Sequence, residues 1–351
     1  MKIRLNQTMV GEGSPVYVIA EMSANHGGDL QRAKDIIYAA KEAGADCVKI
    51  QTYTADTITL DCDNPYFKIT SGPWQKENTL HQLYSLAYTP WEWHEELFAE
   101  AKKVGIDMFS TPFDNSAVDY LEKLDVPFYK IASPELVDVP LIEYVASKHK
   151  PIIMSTGMGT EEEIWDAVNA IRNQGNEDII LLRCAVSYPA VTDEMKLMTM
   201  KDMGERFGVL YGLSDHSFGS VGPVVATALG ASVIEKHFCL SRKIQTPDSA
   251  FSMEKEEFAE MVKAIRQAER AVGEVKYGPT SQEEGNVKYR KSLFASAPIK
   301  KGETFTWDNV KSVRPAAGVK PKFYPEFIGK KASVDVAFGT PLTFDMIEKK
   351  S

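Results

Sequence analysis

Two histidines, His216 and His237, each close a short apolar run, and so do two lysines, Lys49 and Lys130. Glu21 and Glu235 close runs as well. Glu235 stands two residues from His237, and Gln51 two from Lys49, so each pair shares one face of an extended segment. Two converging imidazoles with carboxylates nearby would hold one divalent ion and leave positions for water and substrate oxygens. Such a set suits Mn²⁺, with Mg²⁺ or Co²⁺ as alternatives, better than a closed tetrahedral zinc. The two ammonium groups suit either of two jobs: gripping a phosphate or carboxylate, or attacking a carbonyl to form a Schiff base. Spacing does not choose between them. Lys236 flanks His237 on the opposite pleat face and is expected to point away. His81, His94 and His149 read as core or surface residues.

Further polar groups close the remaining runs: Ser110 and Thr111, Ser133 and Glu135, Ser155 and Thr156, Ser187 and Tyr188, Ser214 and Asp215. Any one Lys–Glu pair has a structural explanation. A polar group at every run end does not, because buried charge is costly without a purpose.

The runs lie at 16–20, 47–50, 106–109, 128–132, 151–154, 179–184, 209–213 and 232–238. Most are rich in Val, Ile, Phe or Tyr, as buried parallel strands are. Helical periods alternate with them. After Asp29, apolar residues recur at Leu30, Ala33, Ile36, Ile37, Ala40 and Ala43 before a stop at Gly44. Others begin at Thr89, Asp114, Pro140, Thr160, Pro223 and Glu254, with a weaker one over 195–207. Thr89 to Glu92 reads as a capping box with Pro90 at the first helical position. The alternation predicts an α/β chain folded as a (β/α)8 TIM barrel, whose usual length is about 250 residues and whose chemistry sits at the C-terminal strand ends. The segment 54–88 is too long for a bare connection and predicts a helix over 77–88 and a loop over the barrel mouth. Beyond Gly273 the composition turns polar. The expected organisation is a barrel over 1–276, a linker over 277–285 and a small β-rich domain over 286–351, with strands at 292–297, 310–313 and 332–336.

At 351 residues, with 44% hydrophobic and 25% charged residues, the chain reads as globular rather than disordered or fibrous. A formal charge of −9 excludes nucleic acid as the main partner. An anionic substrate must then be held by local lysines. No segment is apolar enough for a membrane span, and residues 1–7 lack the core of a signal peptide. Cys47, Cys62, Cys184 and Cys239 form no metal or redox motif, which fits a reduced cytoplasm.

Seven tracts together resemble the sialic acid synthase family: Glu21-Met22-Ser23-Ala24-Asn25-His26, Val48-Lys49-Ile50-Gln51-Thr52, Ser110-Thr111-Pro112-Phe113, Tyr129-Lys130-Ile131-Ala132-Ser133, Ser155-Thr156-Gly157-Met158, Gly212-Leu213-Ser214-Asp215-His216 and Ile234-Glu235-Lys236-His237-Phe238. Ile299-Lys300-Lys301-Gly302-Glu303 and Val313-Arg314-Pro315 resemble the antifreeze-like (SAF) domain of those enzymes. The first tract and the stretch from Thr79 to His94 are most similar to the pseudaminic acid branch. The N-acetylneuraminate and legionaminate branches more often read Glu-Ile-Gly-x-Asn-His.

The resemblance implies a transferase that condenses phosphoenolpyruvate with an open-chain N-acetylated aldose, giving a nine-carbon 2-keto acid and phosphate. For this branch the aldose is 2,4-diacetamido-2,4,6-trideoxy-L-altrose. Carried over by position, Lys49, Thr111, Lys130, Ser133 and Ser214 hold phosphoenolpyruvate, and His216 and His237 hold the metal. Glu21, Gln51, Glu135, Tyr188 and Asp248 meet the sugar, and Arg314 reaches the active site of the partner in a homodimer. Asp215, beside Ser214, is expected to line the pocket, and Glu21 or Glu235 to handle a water. Two positions depart from the family pattern: Val186 replaces a polar residue that contacts phosphate, and Thr246 replaces a glycine before Pro247-Asp248. Two other readings remain, a Schiff-base aldolase and a non-catalytic sugar- or ice-binding protein.

Overall fold

The computed structural model describes residues 1–349, and at its centre eight parallel strands close into a barrel. An antiparallel hairpin precedes it, β1 (Lys2–Leu5) with β2 (Thr8–Gly11). The barrel strands follow as β3 (Tyr17–Glu21), β4 (Cys47–Thr52), β5 (Asp107–Pro112), β6 (Tyr129–Ile131), β7 (Ile152–Ser155), β8 (Ile179–Cys184), β9 (Leu210–Asp215) and β10 (Val233–His237). Each pairs with its successor, and β10 returns to β3 with His237 opposite Glu21.

Period-2 alternation divides the strand residues into two cores. Outward residues such as Val18, Val48, Ile50, Leu213 and Ile234 pack under the helices. Inward residues fill the lower lumen, where Tyr17, Ile19, Cys47, Phe109, Ile153, Ile180 and Val233 meet Ile3, Leu5 and Val10 of the hairpin. The hairpin therefore stoppers the N-terminal end of the barrel. The sequence reading does not include it.

The outer helices are α1 (Leu30–Glu42), then α2 (Ala55–Ile58) and α3 (Leu80–Ala87) within the long segment after β4, and α4 (His94–Val104). They continue with α5 (Asn115–Lys123), α6 (Val139–Ala146), α7 (Glu161–Asn173), α8 (Met198–Phe207), α9 (Val221–Ala228) and α10 (Lys255–Val272). The Asp29 side chain caps α1 as expected, and Asp114, Asp138 and Thr160 likewise satisfy free amides, the last in a capping box with Glu163. Helix α6 is capped at Asp138 and starts at Val139, one residue before the Pro140 start read from sequence. The box read at Thr89 does not form. Pro90 and a 3-10 turn over Trp91–Trp93 precede α4, and Thr89 Oγ1 lies 3.2 Å from His26 Nε2 instead.

Residues Met1–Gly273 form one compact unit and a second begins at Glu274. In the second, β11 (Ser292–Ala295) pairs antiparallel with β12 (Val310–Val313) over a core of Leu293, Phe305, Phe327 and Leu342. The strand expected over 332–336 is reduced to isolated bridges at Ala332 and Val336. No helix among the described residues is long and apolar enough to cross a membrane.

Candidate active site

Above the apolar lower lumen, the inward positions of the same strands turn polar. Lys49 Nζ lies 2.9 Å from Glu235 Oε1, 3.2 Å from Glu21 Oε2 and 3.4 Å from Thr111 Oγ1. Lys130 Nζ donates to Ser155 Oγ at 2.7 Å and sits 3.8 Å from the same Glu235 oxygen, to which Ser214 Oγ also donates at 3.5 Å. One carboxylate oxygen thus faces two ammonium groups. Lys49, Lys130, Glu21 and Glu235 are all buried.

Burial acts differently on each group. It pulls Lys130 down to about 8, with Glu235 opposing and Lys49 assisting. It pulls at Lys49 too, but Glu21 and Glu235 outweigh it and hold that ammonium above the usual lysine range. Burial raises Glu21, Lys49 opposing and Glu235 assisting, whereas Lys130 and Lys49 overcome burial at Glu235 and hold it below the usual range. Glu135, at the pocket wall, is raised to about 7, chiefly by burial.

The imidazoles converge: the ring centroids of His216 and His237 are 5.3 Å apart. His216 Nδ1 meets the Ala185 carbonyl at 3.1 Å, which leaves Nε2 as the free nitrogen. His237 Nδ1 is buried without a hydrogen-bond partner. Burial, then His216 and the surrounding ammonium groups, push His237 well below the ordinary histidine range, so it stays neutral. Among the described residues no cluster of three His, Cys, Asp or Glu side chains forms a closed metal cage. Burial pulls His216 down as well, but Cys184 and the Ala185 carbonyl outweigh it and raise that ring. With one nitrogen left free on each ring, the two imidazoles fit an ion whose remaining ligands are water and substrate oxygens.

A cavity of about 670 Å³ opens beside them. Gln51, Glu135, Tyr188, His237 and Asp248 line it, together with Ser23, Trp74 and Val186. Gln51 Nε2 donates to Glu21 Oε1 at 2.9 Å and to Ser23 Oγ at 3.0 Å. Asp248 Oδ2 accepts from Ser23 Oγ at 2.5 Å and from the Ala24 amide at 3.2 Å. Thr246 Oγ1 donates to Asn25 at 2.9 Å and so anchors the loop that carries Asp248. Tyr188 leans on His216 with centroids 4.3 Å apart, and Trp74 on Tyr188 at 5.3 Å. Ser133 Oγ accepts from the Gly157 amide at 3.0 Å. A Cβ on Gly157 would meet Val186 at 2.2 Å and Ser133 at 2.8 Å, so glycine is required where these strand ends crowd.

The barrel residues given a catalytic, metal or substrate role thus come together with one exception, while the strand-end Ser110 turns outward to Thr52 Oγ1 and the Ile50 carbonyl. Asp215 does not line the pocket. Its carboxylate accepts from Lys236 Nζ and from the Ser217 amide and hydroxyl, on the outer face of the wall. Ser214 points inward, so its strand neighbour must point outward. Arg314 is an exposed residue of the second unit, beyond β12. Sequence reasoning missed the roles of Ser23 and Trp74. Ser23 sits inside a motif it quoted, with a left-handed φ of 44° that only coordinates reveal. Trp74 falls in the aperiodic part of segment 54–88.

The NeuB family profile matches residues 36–277, and the SAF domain profile residues 290–348. The pseudaminic acid synthase of Helicobacter pylori is 48% identical over 337 residues, which are 95% of this chain and 98% of that protein. A pseudaminic acid synthase of Campylobacter jejuni is 47% identical over 93% of this chain and 95% of its own length. Among solved structures, the N-acetylneuraminic acid synthetase of Leptospira borgpetersenii superposes with a TM-score of 0.73 at 30% identity. It covers 83% of this chain and 96% of that one.

Proposed function

Because the chain belongs to the NeuB family, we propose that it condenses phosphoenolpyruvate with 2,4-diacetamido-2,4,6-trideoxy-L-altrose and water, giving pseudaminic acid and phosphate. The observation that carries this reading is the Glu235 oxygen shared by Lys49 and Lys130, below the paired imidazoles. Two ammoniums gripping one carboxylate are built for a small, doubly charged anion. Thr111, Ser133 and Ser214 add hydroxyls around it.

The C3–C1 bond forms when the enol carbon of phosphoenolpyruvate attacks the aldose carbonyl. A water oxygen then bonds to C2, and the C2–O bond to phosphate breaks. His216 and His237 would hold a divalent ion, Mn²⁺ by preference, which when bound polarises the aldose carbonyl as a Lewis acid. Lys49 and Lys130 hold the carboxylate and phosphate charges through the sequence. Glu21, raised to about 7, hands its proton to the aldose oxygen as the C3–C1 bond forms and regains one from the attacking water, while Glu235 stays ionised between the lysines. Gln51, Glu135, Tyr188 and Asp248 orient the aldose in the adjoining cavity. Arg314 serves the partner's site in a homodimer.

The test is phosphate release from phosphoenolpyruvate across a panel of N-acetylated aldoses, with and without Mn²⁺. Release with the trideoxy aldose supports the reading. Equal or better release with the legionaminate or neuraminate precursors moves the chain to those branches. One feature favours an aldolase: Lys130, drawn down to about 8, is the lysine able to lose its proton. A substrate–Lys130 adduct trapped by borohydride would establish that alternative.

A further inference from the structure

Ser23 holds a backbone conformation that suits glycine. Its φ is 44°, it is buried, and it lies directly beyond β3 at the cavity wall. Serine gains nothing there from its Cβ; left-handed φ is costly for a side-chain-bearing residue. Its hydroxyl, however, is fully used. It donates to Asp248 Oδ2 at 2.5 Å and accepts from Gln51 Nε2 at 3.0 Å. Gln51 in turn reaches Glu21 Oε1 at 2.9 Å. The chain Glu21–Gln51–Ser23–Asp248 therefore runs along one side of the cavity, joining two β/α loops distant in sequence.

We infer that Ser23 is a positioning residue for the aldose: its hydroxyl fixes Asp248 and Gln51 in the orientation that binds the sugar. The inference rests on the function proposed above. Ser23 and the Ala24 amide both donate to Oδ2 of Asp248, and the Trp74 indole stands against the same carboxylate, so the side chain is fixed where it lines the cavity. Likewise, Gln51 has its amide nitrogen committed to Ser23 and Glu21, so it offers its carbonyl oxygen to a sugar donor. Without the hydroxyl, both side chains regain rotational freedom and the aldose must order them on binding. Phosphoenolpyruvate, held by Lys49, Lys130 and Thr111, is untouched by this.

Two variants separate the hydroxyl from the backbone. Ser23→Ala removes the hydroxyl and keeps the cost of the left-handed φ; Ser23→Gly removes both. Steady-state kinetics with each substrate varied in turn should show KM for the aldose rising about tenfold in both variants. KM for phosphoenolpyruvate should stay within twofold, and the melting temperature of Ser23→Gly should exceed that of Ser23→Ala. An unchanged aldose KM in both variants would overturn the inference, as would a parallel rise in both Michaelis constants. So would a loss confined to Ser23→Ala, since it would trace to the backbone. Wild-type protein that condenses none of the aldoses would instead refute the proposed function, and the melting comparison would still report on the strain.

Discussion

Replacing Asp215 by alanine removes the carboxylate that Lys236 Nζ meets at 2.5 Å. Lys236 is 2% exposed, and the Ser217 carbonyl is then the remaining acceptor of its ammonium among the described residues. Breaking one side of a buried pair costs about 3–5 kcal/mol, because the surviving charge is left uncompensated. A kcal/mol moves the midpoint of a barrel-sized domain by about 2–4 °C, so the expected drop in Tm is about 6–20 °C. Scanning calorimetry of the full chain reads this directly. The double substitution Asp215→Leu with Lys236→Met should recover most of the loss, since a well-packed apolar pair often matches a buried ion pair. If Asp215→Ala kept the wild-type Tm and raised only the aldose KM, Asp215 would face the lumen and the outward assignment would be wrong.

The remaining predictions concern the lumen and the second unit. Lys130, drawn down to about 8, should lose its proton above that pH, whereas a solvent lysine stays charged to about 10.5. KM for phosphoenolpyruvate should therefore rise above pH 8, and a KM flat to pH 10 would refute the role. Phosphoenolpyruvate binding near pH 8 should also be accompanied by proton uptake, seen by calorimetry in buffers of different ionisation enthalpy. His216→Ala or His237→Ala should abolish retention of one Mn²⁺ in equilibrium dialysis and lower kcat by ~10²-fold or more, the scale of losing one electrostatic stabiliser. Mn²⁺ retained by both variants would place the ion elsewhere. Arg314→Ala and His237→Ala chains, each inactive alone, should regain activity when refolded together, because the mixed dimer has one intact site; no recovery would mean Arg314 does not serve a partner.

The barrel is legible in the sequence because parallel strands buried on both faces must be continuous apolar runs, and β8 spans Ile179–Cys184 as the composition predicts. The polar strand ends are legible for a related reason: Lys49, Lys130 and Glu235 interrupt those runs where an apolar residue would cost nothing. Asp215 escapes the same logic. Ser214, Asp215 and His216 form an unbroken polar run, and nothing in it marks where β9 ends and strict alternation stops. The hairpin is hidden because Lys-Ile-Arg-Leu shows only two apolar residues; its purpose appears once the open lower lumen that Ile3 and Leu5 fill is known. Thr89 misleads because its hydroxyl meets a histidine 63 positions away, an option no local motif encodes.

The sign of the lumen follows from depth rather than from residue counts. Two lysines and two glutamates near one point would cancel in water, and a chain of formal charge −9 would then repel a dianion. Burial breaks the symmetry. Both ammoniums sit against Glu235, which their proximity keeps ionised, while Glu21 is desolvated with weaker compensation and moves toward its neutral form. The lumen thus offers two cations against one full anion. Moving Glu21 into water would restore its charge and remove that attraction, which is why its place at the buried end of β3, opposite His237 in register, matters as much as its identity.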